Sequence, residues 1–157
     1  MLEKAALRDE LRAQLQAALE RAEAAHAAAI EGATHAEARA ENPKDTRGLE
    51  QSYLARGQAQ RVGELAAAVA AIDALALRAL ASADPVAMSA LVTIEEDGVQ
   101  QRWFIAPAGG GNVLGGGVAV VTPSSPLGKA LLGKRAGDEL EVHLPGRVRS
   151  LAIIAVA

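Results

Sequence analysis

The chain has 157 residues, enough for one domain or two small ones, and half of them are hydrophobic by type. Tyr53, Trp103 and Phe104 are its only aromatic residues, which disfavours a large aromatic core. Cysteine is absent, which excludes disulfides, thiolate nucleophiles and cysteine-ligated zinc and suits a reducing compartment. The net charge of −3 is too small to indicate a partner by itself.

The N-terminal sequence lacks the pattern of a signal peptide. Charged residues interrupt it from Glu3 onward, unlike a signal peptide. A run of about 20 apolar residues, the length that spans a bilayer, does not occur in the sequence. We therefore expect a cytoplasmic protein with no membrane partner.

The first predicted element is a long helix over residues 2–40. Its apolar residues recur at steps of three and four, which places them on one helical face. Large side chains become rare toward its end, so we expect weaker packing there. The face comprises Leu7, Leu11, Leu15, Ala18, Ala22, Ala25 and Ala29, and it is broadened by Leu19 and Ile30.

A polar segment from Ala40 to Glu50 predicts a turn. Pro43 disfavours helical backbone at the residue before it, so the first helix should end near Glu41. Asp45 or Thr46 can cap a second helix.

That second helix is predicted over residues 47–81. Two helices of some 35 residues joined by a short turn make an antiparallel coiled-coil hairpin that reaches about 50 Å, so we expect it to project. Its predicted apolar line comprises Leu49, Tyr53, Val62, Leu65, Val69, Ile72 and Ala76.

Basic residues concentrate around the turn, while the rest of the N-terminal half is acidic. A solvated helical surface gives the same pattern, so charge alone leaves a nucleic-acid contact and a plain surface both open. The bases are Arg39, Lys44, Arg47, Arg56 and Arg61, interspersed with the acids Glu41, Asp45 and Glu50.

After Pro85 the apolar pattern changes from helical to strand-like. Strands are predicted over 90–94, 101–106, 118–122, 138–144 and 149–156, with a glycine-rich connector over 109–117. Ser125 should begin a short helix with Pro126 in its first position, and Gly133 should end it. The sequence thus predicts an α+β fold: a helical hairpin over residues 1–83 with its tip near 41–48, and a mostly antiparallel sheet domain over 84–157.

The sequence supports neither a phosphate-binding loop nor a histidine metal site. The glycine-rich connector lacks the Gly-Lys-Ser/Thr ending of a phosphate loop and leads into a strand, not a helix. The three histidines, His26, His35 and His143, lack the spacing of a metal site.

The most specific stretch is Ser124-Ser125-Pro126-Leu127-Gly128-Lys129 with the Leu-Leu-Gly-Lys and acidic strand that follow it. It closely resembles the C-terminal signature of the Gre transcript-cleavage factors, GreA and GreB. The layout of the whole chain is also similar, with a coiled-coil hairpin before an FKBP-like domain.

The resemblance implies a partner and a mechanism. The FKBP-like domain would dock at the rim of the secondary channel of RNA polymerase, with Ser125, Pro126 and Leu127 near the contact. The hairpin would enter the channel, and carboxylates at its tip would help the polymerase hold a second Mg²⁺ so that backtracked RNA is cut near its 3′ end. The chain would be an accessory factor and not an enzyme, a monomer without a cofactor of its own. The bases named above would hold RNA phosphates.

The tip departs from the pattern of the cleaving factors. With Tyr53 as an anchor, the two expected acids fall on Thr46 and Leu49. An alignment with an insertion instead makes Asp45 the first candidate for a catalytic and Mg²⁺-holding carboxylate, with Glu41 second and Glu50 third.

Three hypotheses follow. The first is a factor that stimulates transcript cleavage. The second is a channel binder that modulates or inhibits transcription without cleavage, as some relatives of the family do. The third is a coiled-coil adaptor or chaperone carrying an FKBP-like module, for which prolyl isomerisation would need an aromatic-lined pocket.

Overall fold

A computed structural model describes residues 1–38 and 47–157. Their contacts divide into two compact units, one over residues 13–70 and one that joins residues 1–12 to residues 71–157. The start of the first helix and the segment before Pro85 thus belong with the sheet domain in this division. No helix within the described ranges is long and apolar enough to cross a membrane.

Two long helices dominate the N-terminal half: α1, Leu2–Ala38, and α2, Arg47–Asp73. Within the unit of residues 13–70 they run antiparallel. His26 Nδ1 lies 3.1 Å from the carbonyl oxygen of Ala55, and Gly32, further along α1, faces Gln51, nearer the start of α2. The predicted helical hairpin is confirmed, while the predicted turn at its tip lies outside the described residues.

The seam of this hairpin, meaning its inward-facing row, differs in detail from the predicted stripe. Leu19 is buried as predicted, and Ala18 is half-buried, but Ala25 and Ile30 are exposed and do not belong to the inward row. The inward row advances by alternating steps of four and three, as in a coiled coil, and this places His26 between its buried neighbours. The buried residues of the seam are Leu15, Leu19, Ala22, Ala29, Ala33, Leu65 and Val69.

On α2 the prediction was wrong near the helix start. Leu49 and Tyr53 are exposed, 54% and 59%, while Gln51 and Ala55 lie half-buried in the inward row. The polar side chain therefore faces the partner helix, and the larger apolar ones face outward.

Helix α2 also ends at Asp73, not at residue 81. The amide of Leu75 turns back to the carbonyl of Ile72, and the chain then continues without helical structure. There the Arg78 amide donates to Ser89 Oγ at 2.9 Å, and the Arg78 carbonyl accepts from Lys4 Nζ at 2.7 Å. Tertiary hydrogen bonds thus replace the helical ones that the alanine-rich sequence would otherwise favour.

The C-terminal domain is one six-stranded sheet with a short helix, α3, Pro126–Leu131. Along the sheet the strands are ordered β3-β4-β2-β1-β6-β5, and only the β2–β4 pair is parallel. The predicted mostly antiparallel α+β fold is confirmed, although the glycine-rich connector contributes a short strand of its own. The strands are β1 Leu91–Glu96, β2 Val99–Ile105, β3 Val113–Leu114, β4 Val118–Val121, β5 Glu139–Leu144 and β6 Arg147–Val156.

Alternation along β2 divides its side chains between the two faces of the sheet. Trp103 and Ile105 join the core that also contains Leu131 of α3. Phe104, fully buried, lies on the opposite side of the strand. Asp97 and Gly98, both with positive φ, form the two-residue turn that fixes the β1–β2 register.

Candidate functional site

The start of α3 is built by three consecutive features of the sequence. Ser125 is the N-cap: its Oγ accepts from the Gly128 amide at 3.0 Å and donates to the Thr122 carbonyl at 2.8 Å. Pro126 follows in the first turn, where its missing amide hydrogen costs nothing. Gly128 lies so close to the Thr122 carbonyl that a Cβ there would overlap the oxygen. Ser125 and Gly128 thus hold this turn in place, and Pro126 is compatible with it.

A groove of about 510 Å³ opens beside this turn, on the face of the sheet that carries Trp103. We call it the α3 groove. Its volume is within the range of ligand-binding clefts. It is lined by Gln101, Trp103, Gly110, Gly111, Ala119, Val120, Val121, Thr122, Ser125, Leu127 and Arg149.

Arg149 covers the indole ring of Trp103. Its guanidinium carbon is 5.6 Å from the ring centroid, within the range of a cation–π contact. Its Nε and Nη2 donate to the two carboxylate oxygens of Glu96, at 2.9 and 2.5 Å. This hydrogen-bonded pair lowers the pKa of Glu96 and raises the pKa of Arg149. Both side chains are mostly buried, with 15% and 18% of Arg149 and Glu96 exposed.

The predicted docking residues come together at this groove. Ser125 and Leu127 line it, and Pro126 is exposed between them. The arrangement offers an apolar surface with a few fixed polar groups, which suits binding of another protein segment.

Of the residues predicted to act at the tip, three lie on the exposed surface of α2. They are Glu50 in its first turn, then Arg56 and Arg61. The guanidinium of Arg56 lies 5.4 Å from the ring centroid of Tyr53. Arg47 begins the helix.

The other predicted tip residues, Arg39, Glu41, Lys44 and Asp45, lie outside the described residues. Within the described ranges, histidine and carboxylate side chains form no group of three or more that could hold a metal ion.

Sequence reasoning missed the pair formed by Arg149, which lines the groove, and Glu96, which holds it. They lie on strands that are distant in sequence, and no spacing rule connects them. Gln101 and Trp103 could have been assigned to one face from the strand alternation, but the residue that covers the indole is known only from the folded structure.

The sequence profile described as "Transcription elongation factor, GreA/GreB, C-term" matches residues 81–157. A transcription elongation factor GreA of Brucella suis is 34% identical over 128 residues, which cover 77% of each chain. Another, from Chloroflexus aurantiacus, is 39% identical over 71 residues, and that match spans only 43% of the relative's length.

Among solved structures, GreA factor homolog 1 of Thermus thermophilus is similar at 23% identity and a TM-score of 0.41, covering 93% of this chain and 94% of that one. The Brucella match extends well beyond the C-terminal domain. The chain therefore belongs to the GreA/GreB family of transcription elongation factors.

Proposed function

We propose that this chain binds RNA polymerase through the α3 groove and inserts its helical hairpin into the polymerase secondary channel. The observation that carries the proposal is the placement of Ser125 and Leu127, which lie on the wall of an open groove within the segment that matches the family. The groove combines apolar area with few charged groups, as the centre of a protein interface does. The chain would act as a monomer in the cytoplasm.

In this proposal the tip assists cleavage of backtracked RNA at the active site of the polymerase. Asp45 and Glu41 are the proposed carboxylates, and the exposed Glu50 is the third candidate. Carboxylate oxygens are ligands that Mg²⁺ prefers, so such side chains fit a metal shared with the polymerase. That metal would activate a water and stabilise the leaving oxygen. The chain supplies ligands only, so it is an accessory factor and not an enzyme.

The basic residues near the tip would hold the 3′ segment of the nascent RNA. Arg56 and Arg61 are exposed on α2, and their side chains can reach phosphates without breaking a buried contact. Arg39, Lys44 and Arg47 complete the proposed set. Phosphate contacts of this kind position RNA without reading its sequence.

One observation favours the second candidate function, a channel binder that modulates transcription without cleavage. Leu49 occupies a position where the cleaving pattern has an acid if Tyr53 is the anchor. Both residues are exposed on α2, so that position offers an apolar surface and no carboxylate.

A cleavage assay separates the two functions. Halted, backtracked elongation complexes are incubated with the protein and Mg²⁺, and release of short 3′ RNA fragments is followed. We expect acceleration by the wild type and its loss in Asp45→Ala or Glu41→Ala. Glu23→Ala, which removes an exposed acid of α1, is the control and should not change the rate.

If the protein binds the polymerase but does not accelerate fragment release, the result supports the modulating function and contradicts the cleavage function. Absence of binding to the polymerase would overturn both. Docking is tested separately with Leu127→Ser, which changes the groove wall and leaves the hairpin intact.

A further inference from the structure

Among the residues that the structure describes, Arg149 is the only charged one that lines the α3 groove. Its position is fixed from two sides, by the Trp103 ring beneath it and by both oxygens of Glu96. A guanidinium held in this way has lost its side-chain freedom before any partner arrives. Contacts made by such a preorganised group carry less entropic cost than those of a mobile arginine.

The pair with Glu96 uses only one edge of the guanidinium. Nε and Nη2 donate to Glu96, while Nη1 has no hydrogen-bond partner within the described part of the chain. Arg147 also acts on the Glu96 carboxylate and helps to lower its pKa. Glu96 therefore interacts with two arginines, and only Arg149 is hydrogen-bonded to it.

The rest of the groove is apolar or neutral. Trp103, Val121 and Leu127 supply apolar area, and Ser125 Oγ is already used in capping α3. A highly charged ligand such as an RNA phosphate backbone is a poor match, because the groove offers it one cation and a mostly apolar surface. A protein segment that carries one negative charge beside apolar side chains fits the groove better.

Building on the docking function proposed above, we propose that Arg149 is a specificity-determining residue of the α3 groove. It selects a polymerase segment in which an aspartate or glutamate carboxylate lies beside apolar side chains. The carboxylate accepts from the free edge of the guanidinium, and the apolar side chains pack on Val121 and Leu127. Glu96 is a positioning residue, because it acts only through Arg149.

The first test measures the affinity of labelled protein for core RNA polymerase by anisotropy. Arg149→Met keeps an unbranched apolar chain over Trp103 and removes the donors. We expect its dissociation constant to rise about tenfold, the size of one charge-assisted hydrogen bond. Arg102→Ala is the matched control, since it breaks another arginine–glutamate pair, with Glu3, outside the groove lining. It should change the constant less than about twofold.

Arg149→Met leaves the Glu96 carboxylate without its partner, so misfolding could imitate lost binding. The double variant Glu96→Gln, Arg149→Met removes the pair together, and its folding is checked by circular dichroism. A folded double variant that binds polymerase like the wild type would overturn the proposal.

The second test does not need polymerase. Trp103 is the only tryptophan of the chain, so its emission reports on this groove alone. Two capped peptides, Ala-Leu-Glu-Leu-Leu-Ala and its glutamine counterpart, are titrated, with a six-nucleotide oligouridylate alongside. We expect the glutamate peptide to shift Trp103 emission at about tenfold lower concentration than the glutamine peptide, and Arg149→Met to abolish the difference.

Together the two tests distinguish a failure of the proposed polymerase docking from a failure of the proposed role of Arg149. Selection of the glutamate peptide without polymerase binding would contradict the proposed function and leave the selectivity of Arg149 supported. Polymerase binding with equal peptide titrations would overturn the role of Arg149 alone. Tighter binding of the oligouridylate would also overturn it, in favour of a nucleic-acid groove.

Discussion

Gly128 packs against the main-chain carbonyl of Thr122 so closely that no side chain fits between them. The same carbonyl accepts hydrogen bonds from Ser125 Oγ and from the Ser125 amide, at 2.8 and 3.1 Å. One oxygen therefore closes the turn that starts α3, and the glycine makes room for it. The groove wall formed by Ser125 and Leu127 depends on this contact.

Gly128→Ala should destabilise the C-terminal domain. In an unhindered helix the same change would stabilise by about 0.5–1 kcal/mol, because alanine has the higher helix propensity. Here the new methyl group must displace backbone, which we expect to cost about 1–3 kcal/mol net. Urea unfolding monitored through Trp103 measures the change.

The matched control for this prediction is Gly57→Ala in α2, where a Cβ would meet nothing within 4 Å. It should stabilise the hairpin, as measured by circular dichroism. Stabilisation by both substitutions would contradict the close approach at Thr122.

The Glu96–Arg149 pair should make stability depend on pH. Hydrogen bonding to Arg149 lowers the folded-state pKa of Glu96 below its ordinary value of 4.5. The stabilisation is therefore fully present above the unfolded-state value and is lost as pH falls through the folded-state value. Urea unfolding of the wild type and Glu96→Gln between pH 7 and pH 2 should show a stability difference at neutral pH that closes in acid. A difference that persists unchanged at the lowest pH would contradict an ionic contribution from this pair.

Leu11 and Ile30, both on α1, should differ strongly in the cost of truncation to alanine. Leu11 is fully buried and contacts Gly109, whereas Ile30 is 47% exposed. We expect Leu11→Ala to cost about 2–5 kcal/mol through lost burial and a cavity. Ile30→Ala should change the free energy of unfolding by less than about 0.5 kcal/mol. Chemical denaturation checks both, and similar costs would mean that the assignment of the inward face is wrong.

Charge reversal at Arg56 and Arg61 should weaken any RNA-dependent activity and leave docking through the sheet domain unchanged. Both side chains are exposed, so the substitutions should not unfold α2. Their effect should diminish as salt rises, because phosphate contacts are screened and counterions compete. Cleavage or modulation assays at two salt concentrations measure this, with Lys134→Glu in the sheet domain as the control. Equal loss of polymerase binding would contradict the proposed separation of roles.

The sheet domain was largely predictable because its signals are local. Alternating apolar residues, the turn at Asp97 and Gly98, and the capping sequence at Ser125 each specify their own element. No local signal predicts the parallel pairing of β2 with β4. That pairing depends on the path by which the glycine-rich connector brings β4 back beside β2.

The end of α2 was not predictable in the same way. Residues 74–81 are mostly alanine and leucine, which favour a helix in isolation. Their conformation is decided by partners far along the chain, the Ser89 hydroxyl and the Lys4 ammonium. The position of the Arg149 side chain was unpredictable for the same reason, because it is fixed by Glu96 and Trp103, which lie on other strands of the sheet.

The seam of the hairpin buries large side chains in one stretch and small ones in the next. Leucine and valine fill it at Leu15, Leu19, Leu65 and Val69, whereas small residues follow at Ala29 and Ala33. Less apolar area is buried per turn in the second stretch, so local opening there should cost less free energy. Amide hydrogens around Ala33 should then exchange with solvent faster than those around Leu19. Opening would then begin around Ala33 while the leucine-rich stretch stays closed.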